Sequence, residues 1–159
     1  LVRGDEIMPS ETAPSMTASD ELKWLDILRQ RACEYLEQRG LWGLRIDDTP
    51  AWHRAPYSCI WAARNEENPA WGDWWVICGG LPTDCVSAVF AGSARNAMHA
   101  IGSRWIEAAR CMKEGDTRPA TWTGLEEASP ELADLLEIRG EFLVSWSGDD
   151  ACWDPEWPF

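Results

Sequence analysis

The sequence predicts an α+β domain: a three-stranded antiparallel meander packed with three amphipathic helices, in the order α-β-β-β-α-α. Three observations predict it. Apolar residues recur at helical spacing in three separate stretches. One short run, "DWWVIC" at 73–78, is apolar on both strand faces. The connections between the strand candidates are too short for a crossover, which favours antiparallel neighbours.

The elements follow in order. Residues 1–18 are rich in Pro, Ser, Thr and acids without apolar periodicity, and read as a disordered leader or upstream remnant. The first helix is expected over Asp20–Arg39, with Ser19 as its N-cap and Gly40 as its stop. At about 100° per residue, Leu22, Leu25, Leu28, Ala32, Tyr35 and Leu36 share one face. A loop rich in Gly, Pro and Asp follows. Three strands are then expected: Tyr57–Ala63, Asp73–Cys78, and a third within "TDCVSAVF". A strand with two apolar faces is central and covered on both sides, so Trp74 and Trp75 are read as structural.

The second helix is expected from Ser93 to Glu114, with a stripe of Ala97, Met98, Ile101, Trp105, Ala108 and Met112. The third starts at Pro130 behind the N-cap Ser129 and ends at Gly148. Its expected stripe is Leu132, Leu135, Leu136, Phe142, Leu143 and Trp146. Arg139 falls inside that stripe. It is read as a structural residue, its stem packed and its head either reaching solvent or held by an acid or an aromatic ring. Residues 19–148 form one domain on this reading, and 149–159 an acidic aromatic tail.

Composition limits the function. The chain carries 27 acidic and 14 basic residues, a net charge of −13. A phosphate backbone is repelled by such a surface, so nucleic acid is not an expected partner; a basic protein is. From Glu126 onward there are ten acids and a single base, Arg139. No apolar run reaches the ~20 residues of a membrane span, so no membrane association is expected. A signal-peptide layout is also lacking, and a cytoplasmic location is expected. The six cysteines are scattered without a CxxC and read as free thiols, with Cys78 and Cys85 as possible neighbours across a hairpin. No cofactor is expected, because "CGGLP" lacks the residues and spacing of a phosphate loop. No metal is expected either, since no His/Cys/carboxylate spacing suits one.

The candidate binding residues flank strand ends: Trp52, His53, Trp71, Asp73 and Asp84. Tryptophans 42, 52, 71, 122, 153 and 157 fall in loops or the tail, where they cover a core edge or anchor an interface. "PAWHRAPYSCIWAA", then "WWVICGGLPTDC", then a helix bearing "RWIEAA" together resemble the bacterial family known as domain of unknown function 4826. The resemblance spans Leu25 to Trp146 and implies a fold unit and a bacterial source, with no activity to carry over. The expected function is a non-enzymatic, acidic, protein-binding domain of immunity or inhibitor type. The alternative is a small ligand-binding domain or enzyme with a pocket at the sheet edge near His53 and Asp84.

Overall fold

The structure, a computed structural model, describes residues 16–116 and 129–154. Helix α1 spans Ala18–Gln38 and is followed by five strands: β1 (Arg45–Ile46), β2 (Trp52–Arg54), β3 (Ser58–Arg64), β4 (Trp74–Gly79) and β5 (Asp84–Ser87). Helices α2 (Ala94–Lys113) and α3 (Pro130–Gly148) come next, then a 3-10 turn over Asp150–Trp153. The architecture is α+β with an antiparallel sheet, as expected, but the sheet has five strands rather than three. β1 and β2 both pair with β3, and β4 and β5 complete the sheet. These two strands are two and three residues long and lie in the stretch read as loop. They are too short for alternation to register, and β3 recruits them through its free edge.

β4 is central, as its composition requires. Trp74, Val76 and Cys78 face α1, joining Leu28, Ala32, Leu36, Cys59 and Trp61 in one core. Trp75 and Ile77 face α2 and α3, joining Ile60, Met98, Ile101, Trp105, Leu136 and Leu143 in a second. The sheet is thus covered by α1 on one face and by α2 and α3 on the other. Full burial of each large side chain contributes roughly 1.5–3 kcal/mol, and Trp61, Trp105, Ile60 and Ile77 are all but inaccessible.

The helix ends are set by side-chain caps. Ser129 accepts from the Leu132 N–H, as anticipated, and Ser93, expected as the first residue of its helix, caps it instead by accepting from the Asn96 N–H. α1 differs: Thr17, not Ser19, is its N-cap and accepts from the Asp20 N–H. Thr17 also donates from Oγ1 to Asp20 Oδ2 at 2.7 Å, a reciprocal bond for which Ser19, followed three residues on by Leu22, has no acid.

α3 keeps part of the expected stripe: Leu136 and Leu143 are buried, and Leu132 and Trp146 pack against the core. The buried line, however, is Ala133, Leu136, Gly140, Leu143 and Ser147, while Leu135 and Phe142 stay exposed. The cause is a close crossing with α2. A Cβ on Gly102 would lie 2.8 Å from the Gly140 carbonyl oxygen, and one on Gly140 would lie 2.7 Å from that of Gly102. The line of small residues therefore faces α2 together with Leu136 and Leu143, and Leu135 and Phe142 are turned outward. Gly102→Ala gains about 1 kcal/mol of helix propensity but forces the helices apart at a cost of about 1–3 kcal/mol. The expected net result is a lower thermal midpoint; a stabilised variant would show that the helices do not meet there.

Candidate functional site

The structure separates the residues singled out at strand ends. Trp52 is buried on β2, donates from Nε1 to the Cys152 carbonyl at 2.9 Å, and stacks on Trp153 at 5.6 Å. The start of the tail is thereby tied into the core edge. His53 faces α1, with Nε2 2.7 Å from a Glu21 carboxylate oxygen. A concavity of about 260 Å³ lies beside it, walled also by Cys152 and Trp153. Asp84 begins β5, on the far side of β3 and β4 from His53. Three strand spacings, about 14 Å, divide the two, and the concavity beside His53 does not reach Asp84.

Asp84 is 1% exposed and fully engaged. Its Oδ2 accepts from Trp105 Nε1 at 2.8 Å and pairs with Arg104 Nη2 at 2.8 Å. Its Oδ1 accepts from the Cys85 N–H at 2.8 Å and from the Tyr35 hydroxyl at 3.3 Å. A buried carboxylate persists only with such compensation. Tyr35 comes from α1 and Trp105 from α2, so Asp84 clasps the two outer layers together at the sheet edge. Burial, reinforced by the Asp84 charge, pushes the Tyr35 hydroxyl well above its ordinary range and Cys85 up to about 11. Cys85 therefore stays a neutral thiol near pH 7 and is a poor nucleophile.

All six cysteines are free thiols. The neighbour of Cys78 is Cys59, not Cys85: the two are cross-strand partners with sulfurs 3.6 Å apart, whereas Cys85 lies opposite Val76. The hydrogen bond with Cys78, together with burial, raises the Cys59 thiol, which also accepts from Trp61 Nε1 at 3.0 Å. This pair is packing within the α1-side core.

The remaining two residues, Trp71 and Asp73, lie together at the other end of the sheet. Asp73 is a brace: Oδ1 accepts from the Asn65 N–H at 2.9 Å and Oδ2 faces Arg64 at 3.5 Å, closing the 65–73 connection. Trp71 projects from a 3-10 turn over Pro69–Trp71. The connections leading into β1, between β3 and β4, and after β5 all leave the sheet at this end. They carry Trp42, Trp71, Val89 and Phe90, which are 69%, 75%, 76% and 83% exposed. A Cβ on Gly72 would meet the Val89 side chain at 3.6 Å, so the second and third of these connections run close together. Carboxylates of Asp47, Asp48, Glu66 and Asp73 stand nearby, most of them shared with Arg45 and Arg64.

Val89 and Phe90 fall in the stretch expected to continue the third strand, which instead ends at Ser87. A turn closes there, with the Phe90 N–H donating to the Ser87 carbonyl at 3.0 Å and the Val89 N–H to Ser87 Oγ at 3.2 Å. The run of apolar residues concealed it; the serine before them was the available signal. Trp122, Trp157 and most of the leader lie outside the described residues. Among the described residues no group of three or more His, Cys, Asp or Glu is placed to hold a metal ion. No described helix is long and apolar enough to cross a membrane.

No curated protein and no solved structure matches the chain. A family model described as a domain of unknown function matches residues 18–153, from the start of α1 to the last residue of the 3-10 turn that packs on Trp52. With both cores and both ends of the sheet inside that match, the chain belongs to the DUF4826 family.

Proposed function

We propose that the chain is a non-enzymatic, acidic, protein-binding domain that meets a basic partner through the loop-bearing end of its sheet. The observation that carries this reading is the exposure of Trp42, Trp71, Val89 and Phe90 on three connections at one end. Large apolar side chains exposed to this degree in one region mark interaction surfaces, and tryptophan is enriched among the residues that dominate binding. The net charge of −13 supports a basic partner and opposes self-association through the same surface. An inhibitor or immunity role is the most concrete form of this reading.

The test is capture of a partner from the source organism by the intact chain at low salt. The wild-type chain is expected to retain a basic protein that is released as salt rises. The Trp71→Asp/Phe90→Asp double variant is expected to lose it by about 30-fold or more while keeping its melting temperature. Equal retention by wild type and variant would place the contact elsewhere, and a clean monomer at low salt would refute the reading.

A further inference from the structure

The opposite end of the sheet holds a second kind of feature. The β2–β3 connection, the β4–β5 turn and one side of α3 enclose a pocket of about 480 Å³. Its walls include Tyr57, Leu81, Phe142 and Trp146, and two guanidinium groups, Arg54 and Arg139, line it. Most of the other described arginines are neutralised: Arg29, Arg45, Arg64, Arg95, Arg104 and Arg110 each pair with a carboxylate. Arg54 and Arg139 make no ion pair among the described residues. In a chain with nearly two acids for each base, two such cations lining one concavity call for an anion from outside.

The two cations are held differently. Arg54 lies over the Trp146 ring at 5.5 Å, and Trp146 is itself stacked on Phe142 at 6.0 Å. A guanidinium resting on a ring keeps its N–H edge available while its position is fixed. Arg139 is half-buried on α3, and its Nε is buried without a hydrogen-bond acceptor. Leaving that donor unmet is costly. Tyr57 and Phe142 are about half exposed, so their rings are open to a flat apolar body.

We infer that this pocket binds a small aromatic carboxylate. The carboxylate lies between Arg54 and Arg139, and the ring packs among Tyr57, Phe142 and Trp146. The volume is within the range of roughly 300–1,000 Å³ typical of small-molecule sites. A bare inorganic anion uses the cations but leaves the aromatic walls without a partner, and a neutral ring does the reverse. The site is independent of the protein-binding surface at the other end of the sheet.

Calorimetric titration of the full chain with indole-3-acetate, with neutral indole and with inorganic phosphate tests the inference. Indole-3-acetate is expected to bind, and indole and phosphate each to bind at least about tenfold more weakly. Arg54→Gln and Arg139→Gln are each expected to weaken indole-3-acetate by about tenfold or more, with melting temperatures close to wild type. Should Arg139→Gln fail to fold, Arg54→Gln and Phe142→Ala carry the test, since both side chains are partly exposed. Wild-type affinity weaker than about 10 mM overturns the inference. So does undiminished binding by the arginine variants, or phosphate binding as tightly as the aromatic acid.

Discussion

Asp84→Ala is expected to destabilise the fold by about 3–5 kcal/mol, the range for breaking a buried ion pair by removing one partner. The substitution removes an acceptor from four donors at once: Arg104 Nη2, Trp105 Nε1, the Cys85 N–H and the Tyr35 hydroxyl. The Trp105 side chain is fully buried, so its indole N–H cannot turn to solvent. Arg104 is less affected, because its side chain is about one-third exposed and its Nη2 also donates to the Cys85 carbonyl at 2.7 Å. Asp84→Asn keeps the shape and two acceptor lone pairs but loses the charge, and is expected to cost less. Urea unfolding with an unchanged slope reads both variants as stability effects. Comparable midpoints for wild type and Asp84→Ala would show that the clasp between α1, β5 and α2 contributes nothing.

This role for Asp84 was only half legible in the sequence. Its place after the Gly-Gly-Leu-Pro turn marked it as a strand-end residue, the usual setting for a binding group. Its partners are 49, 20 and 21 positions away, at Tyr35, Arg104 and Trp105, and no local pattern links them. The central strand was legible because a strand covered on both faces must be apolar at every position, and Trp74–Cys78 meets that rule without reference to any neighbour. The short strands β1 and β2 were not, since two or three residues depend on the edge of β3 for their conformation. α3 shows a different limit. The expected stripe was right at Leu132, Leu136, Leu143 and Trp146 but not at Leu135 and Phe142, because the close approach at Gly102 and Gly140 turns the small residues Ala133, Gly140 and Ser147 inward. Arg139 stood out by periodicity alone; of the settings expected for it, a head in solvent or one held by an acid or a ring, no acid pairs with it among the described residues, and its Nε is buried without an acceptor. Its partner in the site, Arg54, gave no signal, because an arginine in a loop-like stretch is unremarkable until the fold sets it over Trp146.

The second large effect is expected at the Gly-Gly pair that ends β4. Gly79 has φ of +135°, and a Cβ there would lie 2.4 Å from the Tyr57 carbonyl oxygen and 2.8 Å from the Ser58 Cα. Both obstacles are backbone atoms, of the first residue of β3 and the residue before it, so no rotamer change relieves them. Gly79→Ala is therefore strained in its own dihedral angles and against β3, for a combined cost of about 3 kcal/mol or more. In a chain of this size that corresponds to roughly 10 °C in the thermal midpoint. Gly80 is the control. Its φ is not in the left-handed region, and a Cβ would meet the Tyr57 carbonyl oxygen at 3.5 Å, an ordinary contact. Gly80→Ala is expected to stay within about 0.5 kcal/mol of wild type. The Gly80 N–H donates to that same carbonyl at 2.7 Å, and this bond holds the β2–β3 connection against the β4–β5 turn. Gly79→Ala pushes those two segments apart, so any variant that still folds should also bind indole-3-acetate more weakly. Equal midpoints for the two alanine variants would mean that the strands do not approach as closely as the structure places them. The pocket between Tyr57 and Leu81 would then lose the rigid rim on which its ring contacts depend.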